Sequence, residues 1–230
     1  MIMIPSAGGH NWQRFLADPE KHWVPGYSAM TAAASWEAAA GSLPPEIGNC
    51  LDASKAPALV HLELLIAVPE WQVELPGGNT NSQTDVMAFC RNSAGLVVMA
   101  VEAKSREDFA GFVGEKRNGS VGQVARLKYL EDLLGVPRFG DDIRYQLLHL
   151  TASAILTARQ FHAPTAVMLL HAFESPADTR ADFNKFAKQL HGMTLTPRLF
   201  EIPRQDGLAL YLAWCEGDSK FLKADVRMKS

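Results

Sequence analysis

A chain of 230 residues, 47% hydrophobic and 20% charged, carries enough apolar surface for one large buried core, which excludes disorder for its bulk and favours one domain over two. Its formal charge of −3 excludes a surface coated in positive charge to grip nucleic acid, although a local basic groove remains compatible. Three widely spaced cysteines, Cys50, Cys90 and Cys215, make neither a CxxC zinc pattern nor an even disulfide framework, and they predict reduced thiols in a cytoplasmic protein.

The start, Met1-Ile2-Met3-Ile4-Pro5, is apolar but too short for a signal-peptide core, and no basic segment precedes it. The longest apolar runs are broken by charge or stay near about ten residues, short of a membrane span, so no membrane partner is expected. No repeat or charge block divides the chain, and a single domain over 1–230 is expected, with a homodimer compatible with it.

In chain order, the Ala-rich stretch 27–40, with Trp36 and Glu37, predicts a helix stopped by Gly41 and Pro44-Pro45. Residues 57–68 read as a second helix, with Pro57 in its first turn and Leu62, Leu65 and Ile66 as its stripe. Residues 71–75 alternate and end at Pro76-Gly77-Gly78, which is strand-like. Two apolar runs, 86–90 and 96–101, flank the turn-like Asn92-Ser93-Ala94-Gly95 and predict a hairpin covered on both faces.

A helix is expected over 120–134, closed by Gly135 and Pro137, and a longer one over 142–161 with an acidic first turn. A buried strand follows at 166–173 and a polar-faced helix at 179–190. Two closing strands, 199–203 and 208–215, turn at Gln205-Asp206-Gly207. Helices, three strands, two helices, a strand, a helix and a hairpin make an α/β (α+β sandwich) class, a mixed central sheet flanked by helices and not a regular βαβ alternation.

The anomaly in this pattern lies at the hairpin's open end. With the turn centred between Ser93 and Ala94, facing residues have numbers summing to 187, so Asp85 faces Glu102, and a one-residue slip would destroy the match. Opposed side chains lie on one face about 4.5–5.5 Å apart, and Lys104, two residues on, shares that face. Facing carboxylates repel, the more so when buried. A hard divalent cation such as Mg²⁺ or Mn²⁺ relieves this, and a lysine beside it can orient or help deprotonate a water. The alternative is an ordinary charged rim where the hairpin emerges into solvent.

Thr84-Asp85, a hydrophobic strand, a turn, a second hydrophobic strand and Glu102-Ala103-Lys104 resemble the signature of the PD-(D/E)xK superfamily of restriction endonucleases and RecB-like nucleases. The superfamily's core order (helix, three antiparallel strands, helix, strand) is similar to the layout over 27–173, with 174–216 as a C-terminal helix and hairpin extension. The resemblance implies that Asp85 and Glu102 bind Mg²⁺ and that Lys104 assists the attacking water. Thr84 stands where the name-giving proline would sit. The chain also resembles a functionally uncharacterised bacterial family of that superfamily, on Leu75-Pro76-Gly77-Gly78, Ser82-Gln83-Thr84-Asp85, Val101-Glu102-Ala103-Lys104, Arg144-Tyr145-Gln146-Leu147-Leu148-His149 and Thr151-Ala152-Ser153-Ala154.

The same resemblance offers secondary candidates. Glu37 stands where many such nucleases carry an extra metal-binding glutamate, or is a solvated residue of an Ala-rich helix. Gln123 matches a glutamine of RecB-like nucleases, but Leu127 replaces the tyrosine expected four residues on. Tyr145 and His149, spaced i, i+4 with Gln146 between, form either a polar wall of the pocket or a buried network holding helices together. His162 and His171 lack partners at metal-ligand spacing and read as structural.

Lys116, Arg117, Arg126, Lys128, Arg138 and Arg144 are the densest basic region; Arg126, Lys128 and Arg144 are candidates to contact nucleic acid, with solvated helix surface as the alternative. No GxSxG, P-loop, GxGxxG or HExxH pattern occurs. Three functions stay open: a Mg²⁺-dependent nuclease, a catalytically silent nuclease-fold protein with a binding or regulatory role, and a hydrolase of small phosphate esters.

Overall fold

Strands without polar alternation need cover on both faces, and the computed structural model, which describes residues 8–78 and 80–227, supplies it. The apolar start at 1–5 lies outside the described residues. A 3₁₀ segment, Gly9–Phe15, leads into α1 (Pro19–His22), α2 (Ser28–Ala38) and α3 (Pro45–Asp52). A three-strand antiparallel meander follows: β1 (Glu63–Val73), β2 (Ser82–Asn92) and β3 (Gly95–Lys104). Then come α4 (Val113–Arg117), α5 (Val121–Leu134) and α6 (Tyr145–Gln160), and β4 (Thr165–Ala172) returns parallel to β3. The chain closes with α7 (Ala177–Gln189), β5 (Met193–Thr196), β6 (Leu199–Ile202), β7 (Ala209–Glu216) and a 3₁₀ turn, Ser219–Lys223.

The seven strands form one mixed sheet in the order β1-β2-β3-β4-β7-β6-β5. The period-two rule divides each central strand between two cores. Met87, Phe89, Val98, Ala100, Met168, Leu170, Leu212 and Trp214 pack beneath α5, α6 and α7. Val86, Ala88, Met99, Val101, Val167, Leu169, Tyr211 and Cys215 pack against α2, α3 and the terminal 3₁₀ segments. The hairpin expectation holds in its register: Asn92 pairs with Gly95 and Val86 with Val101. Gly95 takes a φ of 130°, and Asn92 Oδ1 accepts from Ala94 N at 2.9 Å, so turn chemistry pins the register.

The helix expected over 57–68 is a correction. Residues 57–61 form a turn, and 63–73 is the edge strand β1. Leu62, Leu65 and Ile66 mimic helical spacing, but a register irregularity between Leu64 and Ile66 produces that spacing within a strand. Backbone pairing with β2 wins over a short stripe whose Leu65 and Ile66 stay exposed.

Further along, α6 begins at Tyr145, so Asp142 precedes it and binds Lys185 at 2.9 Å. Pro45 starts α3 instead of closing α2, since proline is tolerated where a helix's first N–H groups have no partner. The short strand β5 also went unpredicted. No helix among the described residues is long and apolar enough to cross a membrane.

Candidate functional site

The β2–β3 ladder has its last pair at Val86 and Val101, and one further step sets Asp85 against Glu102. There the strands stop exchanging main-chain bonds, and Ala103 N donates instead to Asp85 Oδ2 at 2.7 Å. Lys104 Nζ lies 3.0 Å from Glu102 Oε1, and each of these two residues is only 6% exposed. The three predicted residues therefore meet at one end of the sheet, on the face covered by α5 and α6.

A third carboxylate, unforeseen from sequence, joins them. The β1–β2 register pairs Pro69 with Val86 and Trp71 with Thr84, so Glu70 falls beside Asp85. Its backbone sits at a φ of 54°, unusual for a non-glycine residue, and its Oε2 accepts from Gln83 Nε2 at 2.5 Å. Glu70, Asp85 and Glu102 thus form a row across three adjacent strands. The missed signal was a charged residue after Pro69, obscured by the helical reading of the preceding segment.

Electrostatics follow from this crowding. Burial, then the charges of Glu102 and Glu70, hold the Asp85 carboxyl well above the usual range. Burial likewise raises Glu102 against the pull of Lys104. Glu70 is pushed up to about 7 by burial and by Glu102, against the Gln83 hydrogen bond. Burial works against the Lys104 charge, but Glu102 and Asp85 outweigh it and raise the ammonium.

The surrounding polar groups come from α6 and the segment after β3. Gln146 Nε2 donates to Glu102 Oε1 at 2.5 Å, while its Oε1 accepts from Ala110 N at 3.2 Å. His149 Nδ1 lies 2.8 Å from Ser82 Oγ, and Ser153 Oγ is 2.9 Å from that hydroxyl. His149 is pushed down to about 4 by burial and by the charges of Arg126, Lys104 and Lys116, so the imidazole is neutral at neutral pH. The Tyr145 ring lies 5.7 Å from that of His149, tilted by 57°, with Lys116 Nζ 5.5 Å from the Tyr145 ring. These bonds tie α6 to β2 and β3 as a buried polar network beside the carboxylates.

Glu107 anchors the turn after β3. Its Oε2 accepts from Ser105 Oγ at 2.5 Å and its Oε1 from Ser28 N at 3.0 Å. Although burial opposes it, these donors hold Glu107 down to about 2, and the first turn of α2 favours the negative charge.

The secondary candidates fare differently. Glu37 belongs to α2, on the opposite face of the sheet, where its Oε1 accepts from Trp12 Nε1 at 2.7 Å; the expected second-shell role at Asp85 and Glu102 is corrected on that placement. Gln123 is spent on a capping box, its Oε1 accepting from Ser120 N at 2.9 Å while Ser120 Oγ caps Gln123 N. His171 is fully buried, with Nε2 3.0 Å from Glu46 Oε1, as a structural histidine should be.

Of the basic candidates, Arg126 donates to Leu75 O, Pro76 O and Thr80 Oγ1 at 3.1, 2.9 and 3.4 Å. That staple explains the Leu75-Pro76-Gly77-Gly78 motif: Gly77 has a φ of 80°, and a Cβ there would meet Gly122 O at 2.3 Å. Arg144 is locked onto Asp182 at 2.6 Å and Phe109 O at 3.0 Å. Lys128 pairs with Asp132 on exposed helix surface. Lys116 has no carboxylate within ion-pair distance among the described residues. A cavity of about 680 Å³ lies elsewhere, lined by Tyr129, Arg159, His191, Arg204 and Asp206.

Carboxylate oxygens would be the donors to a hard cation here. Among the described residues no donor hydrogen reaches Asp85 Oδ1 or Glu102 Oε2, which leaves one oxygen on each carboxylate for an ion that also takes waters. No group of three or more His, Cys, Asp or Glu among the described residues is gathered to hold a metal, so an ion here would rest on these two carboxylates and solvent.

Fold and site together define a mixed α/β protein with a seven-stranded sheet and a buried carboxylate–lysine cluster at one strand end. The chain belongs to the family described as "Domain of unknown function (DUF6946)", whose model matches residues 5–219. No curated protein and no solved structure matches it.

Proposed function

We propose that this protein is a Mg²⁺-dependent phosphodiester hydrolase acting on nucleic acid, on a restriction-endonuclease-like core. The observation that carries the reading is the meeting of Asp85, Glu102 and Lys104 on one sheet face, with Lys104 Nζ bonded to Glu102 Oε1 at 3.0 Å. Also in support is the order α2, the antiparallel β1–β3, the helices α5 and α6, and β4 parallel to β3.

Asp85 and Glu102 would hold the ion. A bound Mg²⁺ or Mn²⁺ would supply Lewis-acid polarisation of a phosphoryl oxygen and a lowered pKa for water. Lys104, fixed by Glu102, has further N–H groups with which to orient a water beside the two carboxylates. Gln146 holds Glu102 in its rotamer through a bond to the same oxygen. Lys116, 5.5 Å from the Tyr145 ring and without an ion-pair partner among the described residues, would be available to meet a phosphate.

A second reading, a silent nuclease-fold protein with a binding or regulatory role, is favoured by a specific observation: Arg126 and Arg144 are consumed by internal acceptors. The net charge of −3 points the same way.

The test is cleavage of single- and double-stranded DNA and RNA in Mg²⁺ or Mn²⁺. Metal-dependent cutting that Lys104→Ala depresses far more than binding supports the enzyme. Protein that neither cuts nor binds any of these at low salt overturns it.

A further inference from the structure

At the end of α5 away from the loop that Arg126 staples, a cleft of about 680 Å³ opens between that helix, the ends of α6 and α7, and the turn joining β6 to β7. Small-molecule sites are of this size, about 300–1,000 Å³. Leu134, Val136, Leu190 and Pro203 give it an apolar wall, and the half-buried ring of Tyr129 stands in the same lining.

Two guanidiniums share one carboxylate in this cleft. Asp206 Oδ1 accepts from Arg204 Nε at 3.0 Å and from Leu208 N at 3.3 Å. Its Oδ2 accepts from Arg204 Nη2 at 2.6 Å and from Arg159 Nη2 at 2.7 Å. The bonds from Arg204, opposed by burial and helped by Arg159, hold the Asp206 carboxyl well below the usual range. Arg204 also donates from Nη1 to Leu133 O at 3.2 Å, so its nitrogens are spent on the scaffold. Arg159 differs: its side chain is 46% exposed, and among the described residues only Nη2 has an acceptor, which leaves Nε and Nη1 to donate outward.

The rest of the lining does not cancel that charge. Asp132 is countered by Lys128 on the same helix. The helix ends that would repel an anion are already capped: Gly135 N and Val136 N donate to Asp132 O and Glu131 O at 3.2 and 3.0 Å, and Gly192 N to Ala187 O at 3.0 Å. One positive charge therefore stays without a carboxylate of its own, beside an apolar wall and an aromatic ring.

We propose that this cleft binds a small aromatic carboxylate, with the anion on Arg159 and the ring against Tyr129 and the apolar wall. Charge-assisted bonds from a guanidinium to a carboxylate are about twice as strong as neutral ones. A single unanswered charge suits a singly charged headgroup better than a phosphate monoester, which carries about 1.5–2 negative charges at neutral pH. An aromatic body gains ring contact with Tyr129 beyond the area it buries. The site uses none of Asp85, Glu102 and Lys104 and stands apart from the phosphodiester reading.

The experiment titrates the ¹⁵N-labelled full chain, without divalent metal, with benzoate, acetate, benzyl alcohol and phenyl phosphate in turn, following the amide spectrum. Benzoate should give saturable shifts gathered on the cleft, at Gly135, His191 and Gln205, and the other three probes should bind at least several-fold more weakly. Arg159→Gln should weaken benzoate by about tenfold or more. Tyr129→Leu should weaken benzoate several-fold and leave acetate unchanged. Should either variant fold poorly, the four wild-type titrations decide alone. No saturable shift at millimolar benzoate overturns the proposal, as does acetate or benzyl alcohol binding as tightly as benzoate, phenyl phosphate binding more tightly, or shifts centred on Gln146 and His149. None of these outcomes bears on nucleic-acid cleavage.

Discussion

Lys104 donates from Nζ to Glu102 Oε1 at 3.0 Å, two residues apart on one strand and both almost sealed from solvent. A buried pair of this kind stabilises little against an apolar pair but is costly to break from one side. Removing the ammonium leaves Glu102 and Asp85 facing each other without a counter-charge.

Lys104→Met should therefore destabilise the protein by about 3–5 kcal/mol at neutral pH. Adding Glu102→Gln to it should recover part of that loss, since the uncompensated charge is gone. Chemical denaturation of the two single variants and the double variant measures this coupling. Additive losses would mean that the two side chains do not act as a pair.

Metal should respond to Asp85. If Asp85 and Glu102 hold an ion, saturating Mg²⁺ or Mn²⁺ raises the melting temperature by linkage. Asp85→Asn should remove that rise while leaving the metal-free protein little changed or more stable, because it deletes one of three crowded carboxylates. Scanning calorimetry with and without metal reads both effects, and an equal rise in wild type and variant would locate the ion elsewhere.

Stability against pH should carry the signature of Glu70. Its carboxyl rises from 4.5 to about 7 on folding, so the folded state binds a proton that the unfolded state has released. That contribution is fully present below about pH 4.5 and is lost as pH climbs to about 7. His149 runs in the opposite sense: lowered from 6.5 to about 4, it contributes above pH 6.5 and loses that contribution as pH falls to 4. Glu70→Gln should make stability rise more steeply with pH between 5 and 7, by up to about 1.4 kcal/mol per pH unit. Urea melts across that range would show an unchanged slope if Glu70 were solvated.

Basic residues should separate into staples and contacts. Arg126→Ala removes the donors to Leu75 O, Pro76 O and Thr80 Oγ1 and should cost about 1–3 kcal/mol. Lys128→Ala should change stability by less than about 0.5 kcal/mol. Lys116→Ala should leave stability alone, weaken nucleic-acid binding and reduce its salt slope by about one. An unaltered salt slope in Lys116→Ala would remove it from the binding surface.

How far the residues alone carried these conclusions depends on the range of the interactions involved. The β2–β3 hairpin, its register and the convergence of Asp85, Glu102 and Lys104 were legible because they rest on a short turn and period-two geometry between neighbouring strands. The helix at 28–38, read from its alanine content, and the Gly135 stop of α5 were legible for the same reason: helix propensity and C-terminal capping act within a few residues. Only the tertiary structure decided β1, since a register irregularity between Leu64 and Ile66 imitates a helical stripe and pairing with β2 overrides it. With β1 misread, Glu70 had no strand to stand on and the third carboxylate stayed hidden. Arg126, Arg144 and Gln123 were charged or polar residues in a suitable stretch until the fold bound them to partners as distant in sequence as Leu75 and Asp182. Local patterns determine which residues share a strand face or a helix turn; whether a side chain is free to do chemistry depends on long-range neighbours, which spacing along the chain does not encode.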